Sequence, residues 1–145
     1  MTTISKTPED RLAELGIHLP GAPTPFGAYV PAVKTGNLLF LSGMLATSGH
    51  TATAVGLVGK DLDVKAGRQA AYTAALNVLA LTKKQLGSLN RVSHVVRLGV
   101  YVAATPEFTE HPKVADLHGF VEHLHGLLSR DRVCQAQAPR GGHEQ

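Results

Sequence analysis

Four histidines near the end of the chain have side chains that could bind a metal: His111, His118, His123 and His125. Imidazole nitrogen is a common zinc ligand. On a helix, His118 and His125 would share a face two turns apart, whereas His123 would point elsewhere. The chain has no His-Glu-x-x-His motif, which places two ligands and a general base on one helix face. The spacing therefore predicts no metal site and no cofactor.

Cys134 is the single cysteine, which excludes an internal disulfide. A nucleophilic thiol needs a neighbouring base or a helix N-terminus to hold it as a thiolate, and the sequence around Cys134 shows neither. Arg130 and Arg132 are of a type that pairs with carboxylates, but the residues around them lack the alternation of a strand. We assign no catalytic residue in this part of the chain.

Length and composition predict one globular, cytoplasmic domain. A chain of 145 residues with 43% hydrophobic and 17% charged residues suits a single hydrophobic core. The net charge of +3 comes from scattered residues without interleaved aromatics, so nucleic-acid binding is not predicted. Residues 1–15 hold no apolar signal stretch, and the longest apolar stretch, residues 38–45, is far too short to span a membrane. We expect neither secretion nor a membrane partner.

A β-hairpin is the clearest element that these patterns predict. Proline-rich residues 21–25 disfavour both helix and central strand. Two β-rich segments, residues 29–35 and 38–43, follow, and Gly36-Asn37 lies between them. This pair readily adopts the positive φ angles of a tight turn, so the two segments are expected to pair.

Two helices are predicted from their end signals. Residues 9–15 form a short helical segment that Gly16 can end in a left-handed conformation. Asp63 can cap a second helix over Val64–Leu86, which Gly87 ends. The small residues 49–59 predict a loop that leads into a short strand over residues 57–60.

The second half of the chain predicts a central strand. Residues 93–103 are hydrophobic or β-branched at nearly every position, as expected of a strand covered on both faces. Thr105-Pro106 interrupts the strand and predicts the start of a helical turn.

Several of these segments occur in an order that resembles the RidA/YjgF family. They are residues 29–43 (YVPAVKTGNLLFLSG), residues 75–79 (ALNVL) on the long helix and residues 95–102 (VVRLGVYV). The arm at residues 11–17 (RLAELGI) is similar to the branch described as chorismate-mutase-like or as an endoribonuclease. The resemblance covers about residues 9–116.

This resemblance implies an α+β fold, in which a chorismate-mutase-like mixed sheet packs against two helices. It also implies a homotrimer with clefts between subunits, and hydrolysis of reactive enamines and imines to 2-keto acids and ammonia. The chemistry needs an arginine for the substrate carboxylate and a carboxylate-positioned water. The implied partner is therefore a small carboxylate or imine substrate.

Carried over residue by residue, the resemblance implies a substrate-binding site at Tyr29, Ser42, Gly43 and Tyr101. Asn77 matches a helix asparagine that is expected to bond nearby backbone. The alternative from residue types alone is that Tyr29 is a strand aromatic and Gly43 a bend or bulge, with no ligand at either. Met44 stands where the family often has glutamine, which weakens a strict deaminase assignment.

The chain departs from the family pattern after Asp116. The expected arginine-bearing strand, proline turn and glutamate-bearing final strand are not visible, so the C-terminal strands are expected to be missing or altered. We predict a RidA-like domain over residues 1–116, a helix over residues 117–130 that completes it, and an irregular or disordered tail over residues 131–145. An apolar stripe within residues 117–128 favours the helix.

A change of reading frame near Asp116 is one hypothesis for this departure. The codons for residues 133–139 must read GTN TGY CAR GCN CAR GCN CCN. Read one base later, they permit Ser-Ala-Arg-Leu-Arg-Leu, which is similar to the missing arginine strand. The alternative is natural divergence of this end. The coding DNA decides, because stop codons in the shifted frame would eliminate the hypothesis.

Three functions remain open. The first is a RidA-like enzyme that acts on enamines or imines, with activity in doubt because the arginine and glutamate motif is absent. The second is a non-catalytic or truncated relative that binds a small ligand. The third is an endoribonuclease, which follows only from the label that part of the family carries.

Overall fold

The computed structural model describes residues 7–116, where one short helix precedes four short antiparallel strands and the remaining elements are helical. In chain order the elements are α1 (Pro8–Glu14), β1 (Ala32–Thr35), β2 (Leu38–Leu41), β3 (Thr47–Ser48), β4 (Thr51–Ala52), α2 (Val64–Leu86), a 3₁₀ helix (Leu89–Arg91) and α3 (His111–Ala115). The α+β class is confirmed. The helix predicted over residues 117–130 and the tail over residues 131–145 lie outside the described residues.

The predicted hairpin is confirmed. Strands β1 and β2 pair antiparallel, with Thr35 opposite Leu38 and Ala32 opposite Leu41. Gly36 has φ +53°, as the tight turn requires. The ladder is shorter than predicted because Pro31 has no N–H to donate. Its carbonyl nevertheless accepts from the backbone N–H of Ser42, at 3.0 Å.

Helix α2 has the predicted bounds. The carboxylate of Asp63 accepts from the backbone N–H of Ala66 at 2.7 Å, which caps the first turn. At the other end, Gly87 has φ +81° and its N–H donates to the carbonyl of Lys83. Leu79 and Leu81 of α2 are both buried, although they point to different sides of the helix, so its C-terminal half is covered on more than one side.

The N-terminal arm packs against the C-terminal half of α2. Helix α1 begins one residue earlier than predicted, because Thr7 forms a capping box with Asp10. Leu12 of α1 joins Leu79 of α2 and Leu89 of the 3₁₀ helix in a small buried cluster. The arm is therefore held by apolar contacts as well as by its own helix signals.

The prediction of a central strand over residues 93–103 is wrong for this structure. The segment is irregular, and Val96 is 70% exposed. A central strand needs bonded neighbours along both edges. The ladder contacts here are confined to the end of the segment, where Ala103 accepts from Val58 at 2.9 Å and Thr105 donates to Val58 at 3.0 Å.

Other predicted elements in this region are shorter or shifted. The strand expected over residues 57–60 is reduced to isolated bridges at Val58. The predicted turn at Thr105 is present, since its carbonyl accepts from Phe108 at 3.1 Å, but α3 begins only at His111. The loop predicted from residue 49 onward contains strand β4 and the turn that joins it to β3. Within residues 7–116, no helix is long and apolar enough to cross a membrane.

Candidate functional site

A small cavity of about 50 Å³ lies between the segment that follows β2 and residues 21–31, the proline-rich connector that precedes β1. It is lined by Pro23, Thr24, Pro25, Phe26, Tyr29, Pro31, Gly43, Met44, Leu45, Thr47 and Asn77. One water needs roughly 10–15 Å³ measured in this way. The cavity therefore has room for a few waters or for one end of a small organic molecule. Most of its wall is apolar, with prolines on the connector side.

Asn77 of α2 fixes one wall of this cavity. Its side chain is 3% exposed, and its Nδ2 donates to the carbonyls of Leu45 and Thr47, both at 3.0 Å. The hydroxyl of Thr47 lies 3.3 Å from the same nitrogen. Buried polar groups need such partners, so the amide anchors the chain after β2 to the helix. The predicted structural role of Asn77 is confirmed.

Two of the four predicted substrate-binding residues meet at this cavity. Tyr29 and Gly43 both line it. Ser42 lies beside it, and its hydroxyl donates to the carbonyl of Pro31 at 3.2 Å, so this side chain ties the connector to β2. Tyr101 lies outside the cavity and is 74% exposed. That Tyr101 lines a cleft between subunits stays a prediction.

A threonine and a histidine at the cavity were not predicted from the sequence. Thr24 lines the cavity, and its hydroxyl lies 2.9 Å from Nε2 of His50. The ring of Phe26, also in the wall, meets the His50 ring edge-on at 5.2 Å between centroids. His50 follows Gly49 in the turn of the β3–β4 hairpin, and Gly49 has φ +59°. Gly49-His50 could have been predicted as a hairpin turn from the sequence. Placing His50 beside the connector would also have required the path of the connector, which the sequence does not give.

A second polar cluster lies where the arm meets α2. Glu9 accepts from the hydroxyl of Ser88 at 2.9 Å and from the backbone N–H of Leu89 at 3.0 Å. Nζ of Lys83 is 3.4 Å away. The hydrogen bond from Ser88, followed by that from Leu89, holds the pKa of Glu9 below its ordinary value, and the charge of Lys83 acts in the same direction.

This cluster borders an open groove of about 480 Å³ between the arm and α2. The Glu9 carboxylate already bonds three groups of the protein, so its role here is to fasten the arm. The groove is wide and open, and no predicted site residue lines it.

The described residues contain no arrangement of side chains that would support a metal site. In the range 7–116, no group of three or more potential metal ligands lies together. The ring of His111 packs edge-on against Phe108, with 5.0 Å between centroids. His118, His123, His125 and Cys134, like Arg130 and Arg132, lie outside the described residues.

Comparison with known proteins gives consistent matches along most of the chain. Residues 20–125 match the family described as Endoribonuclease L-PSP. A protein of Trypanosoma cruzi named TCP17 is 40% identical over 136 residues, which covers 90% of this chain and 84% of that protein.

Two solved structures are similar in fold as well. A protein of unknown function from Agrobacterium tumefaciens has a TM-score of 0.69 and 36% identity, covering 91% of this chain and 84% of that one. A candidate endoribonuclease from Shewanella oneidensis has a TM-score of 0.79 and 28% identity, covering 92% of this chain and 87% of that one.

Proposed function

This chain belongs to the Endoribonuclease L-PSP family, which is also known as the RidA/YjgF family, and on that premise we propose that it hydrolyses small carboxylate-bearing enamines and imines. The observation that supports the proposal is the cavity that Tyr29 and Gly43 share. These residues are the ones that the family resemblance assigns to substrate binding, and they line a space with room for one end of a small molecule.

The proposed reaction needs only water as co-reactant. An enamine gains a proton at carbon and loses one from nitrogen, which makes it an imine. Water then adds across the C=N bond, with its hydroxyl on carbon and its second proton on nitrogen. The proton of that hydroxyl passes to nitrogen as the C–N bond breaks, which leaves a 2-keto acid and ammonia. The protein's contribution is to hold the imine carbon and one water together, which makes the addition effectively unimolecular.

The walls of the cavity suit this role. Prolines and Leu45 provide apolar surface for the substrate's carbon chain, while the hydroxyls of Thr24 and Tyr29 can bond its oxygens. The arginine and glutamate motif that the family resemblance leads us to expect is not visible in the sequence. We therefore expect a slow enzyme, with a non-catalytic binder as the alternative outcome.

A coupled assay tests this proposal. A dehydratase acting on threonine supplies the enamine, and release of 2-oxobutanoate is followed with and without the protein. We expect release faster than in buffer alone. An unchanged rate would contradict the enzyme and favour a non-catalytic relative.

Matched glycine variants tie any activity to the cavity. An added Cβ meets nothing within 4 Å at either Gly43 or Gly21, so both substitutions by alanine should fold. Gly43 lines the cavity, but Gly21 does not. Gly43→Ala should slow keto-acid release because its methyl group narrows the cavity, while Gly21→Ala should match the wild type. Equal rates for the two variants would place the reaction elsewhere.

Endoribonuclease activity is a second candidate function, favoured by the family description and by the Shewanella relative. Incubation with single-stranded RNA tests it directly. We expect the RNA to stay intact, because the sequence shows neither a basic run nor interleaved aromatic residues for base stacking. Cleavage that Gly43→Ala abolishes would replace the first proposal.

We also propose that the protein assembles as a homotrimer. Large apolar side chains of the hairpin are exposed in the single chain, including Val33 at 51% and Phe40 at 57%. Exposed apolar patches of this kind often mark contact surfaces between proteins. Light scattering should give a trimer mass, and Phe40→Asp should reduce it. A monomeric wild type would contradict the proposal.

A further inference from the structure

We propose that Thr24 binds the substrate's carboxylate or carbonyl oxygen and that His50 positions the Thr24 hydroxyl for this contact. The inference rests on the proposed function, since it assumes that the cavity holds a small oxo acid or its imine. It starts from the hydrogen bond of 2.9 Å between Thr24 Oγ1 and His50 Nε2.

The polar groups of the cavity wall leave few donors for a ligand. Of the four polar lining residues, Thr24, Tyr29, Thr47 and Asn77, the last two bond each other and nearby backbone. Both Asn77 N–H groups have partners in the carbonyls of Leu45 and Thr47. The Thr47 hydroxyl accepts from Asn77 and belongs to a residue that is only 6% exposed. The hydroxyls of the exposed residues Thr24 and Tyr29 therefore remain as the side-chain donors that can face a ligand oxygen.

The β3–β4 hairpin holds His50 in a fixed position beside Thr24. At the base of the hairpin, Thr47 is anchored to α2 through Asn77. Thr53 closes the other strand by donating its N–H and its hydroxyl to the carbonyl of Ala46, at 2.8 and 3.0 Å. At the tip, the His50 ring contacts Phe26 as well as Thr24. A continuous set of contacts thus links the helix to the Thr24 hydroxyl.

The tautomer of His50 determines whether the Thr24 hydroxyl can donate a hydrogen bond to a ligand. A hydroxyl has one proton to donate and two lone pairs. When Nε2 of His50 carries a proton, it donates to Thr24 Oγ1, and the hydroxyl proton is available to a ligand. When Nε2 is bare, it accepts that proton, and Thr24 offers only lone pairs. A ligand oxygen that accepts hydrogen bonds should therefore favour the form protonated at Nε2.

This arrangement could bind the substrate carboxylate in place of the arginine that the family resemblance leads us to expect. No arginine or lysine lines the described cavity, so a carboxylate entering it needs other donors. One hydroxyl oriented by an imidazole is a weaker but specific substitute. His50 acts through Thr24 and is a positioning residue, whereas Thr24 touches the ligand.

Binding of 2-oxobutanoate at constant pH, followed by NMR, tests the inference. Thr24→Val removes the hydroxyl and keeps the shape, and it should weaken binding about tenfold. Thr24→Ser should restore most of the affinity. His50→Ala should weaken binding, and His50→Gln, which keeps a donor, should recover part of the loss. Thr24 and His50 are both exposed, so the variants are expected to fold, as circular dichroism can check.

His94 provides a matched control. Its Nδ1 lies 3.1 Å from the hydroxyl of Ser93, an equivalent imidazole–hydroxyl pair away from the cavity. On addition of 2-oxobutanoate, the Nε2 resonance of His50 should move toward the protonated position while the His94 ring signals stay unchanged. His94→Ala should bind normally. Equal shifts at both histidines would indicate a general effect and overturn the inference.

The outcomes separate this inference from the proposed function. If the wild type binds the probe and Thr24→Val binds it equally well, the role of Thr24 is wrong and the enzyme proposal stands. If binding depends on Thr24 but no enamine is hydrolysed, the inference holds and the enzyme proposal fails. If the wild type binds no probe, the inference is wrong, and the coupled assay alone decides the enzyme proposal.

Discussion

Two side chains attach distant segments to the same long helix by different means. Asn77, in the middle of α2, holds the chain after β2 through a buried, uncharged amide. Glu9 holds the arm to the end of α2 through a partly exposed carboxylate, which bonds Ser88 and Leu89 and pairs with Lys83. The first attachment borders the cavity, and the second borders the open groove.

The difference shows which attachment limits stability and function. A buried amide has no water to replace lost partners, so its removal leaves carbonyls unsatisfied at a cost of about 1–3 kcal/mol each. A partly exposed ion pair is screened by solvent and contributes little, typically below about 1 kcal/mol. We therefore expect the site to depend on Asn77, and the arm to depend mainly on its apolar contacts.

Asn77→Ala should have the largest effect. It leaves the carbonyls of Leu45 and Thr47 without their donor, so the free energy of unfolding should fall by about 3 kcal/mol. Ligand binding at the cavity should weaken as well. Urea denaturation and the NMR titration measure both effects.

Thr82→Val is the matched control for this variant. Thr82 is a second buried polar residue of α2, but its hydroxyl donates to Val78 within the helix. We expect a loss below about 1 kcal/mol and unchanged ligand binding. An equal loss for the two variants would show that Asn77 acts only as a helix residue.

Leu12→Ala tests the apolar part of the arm attachment. It removes most of a buried side chain from the cluster with Leu79 and Leu89, which should cost about 2 kcal/mol. Because the cavity contains none of these residues, ligand affinity should not change. Loss of ligand binding in a folded Leu12→Ala protein would contradict the separation of the two regions.

Glu9→Gln should lower the free energy of unfolding by a smaller amount, about 0.5–1 kcal/mol, because the ion pair with Lys83 is partly exposed. The pKa of Glu9 is lowered in the folded state from its ordinary value of 4.5. Its contribution is therefore complete above about pH 4.5 and is lost as the pH falls through the lower, folded pKa.

Thermal denaturation between pH 3 and 7 should show this dependence in the wild type and a weaker one in Glu9→Gln. Glu14→Gln is the control, since Glu14 is also a carboxylate of α1 and pairs with Arg11 of the same helix at 3.0 Å. Identical pH dependence in wild type and Glu9→Gln would show that the carboxylate does not fasten the arm.

The smallest expected effect is the coupling energy between the two attachments, which the double variant Asn77→Ala with Glu9→Gln measures and which should be close to zero. Asn77 and Lys83 are separated by about 9 Å along the helix axis. The losses in free energy of unfolding caused by Asn77→Ala and by Glu9→Gln should therefore add within about 0.5 kcal/mol. A larger coupling energy would mean that α2 transmits strain between the two attachments.

Elements with local end signals could be predicted from the sequence. The Gly36-Asn37 turn and the caps Asp63 and Gly87 fix the hairpin and α2, and each acts within a few residues of itself. Residues 93–103 have no such local signal from which the presence or absence of a strand could be predicted. Their pattern describes burial, but strand formation depends on bonded neighbours supplied by other parts of the chain.

The site was predicted only in part, for a related reason. Tyr29 and Gly43 lie on segments with family motifs, and the structure brings them to one cavity. Thr24 and His50 belong to no motif, and they meet because the connector folds back against a hairpin 26 residues later. Contacts of that kind depend on the path of a proline-rich segment, which residue patterns do not specify.

The family match sharpens the reading-frame hypothesis. It continues to residue 125, past Asp116 where the chain was expected to depart. The coding DNA from the codon for Asp116 onward, through that for His125, is therefore the part to sequence.

The prolines of the connector have a further consequence for ligand binding. Pro23, Pro25 and Pro31 all line the cavity, and each ring fixes one backbone φ angle before any ligand arrives. A wall with so few accessible conformations loses little entropy when it closes on a molecule. The cavity should therefore recognise its ligand by fit rather than by rearrangement, and close analogues that are one methyl group larger should be rejected sharply.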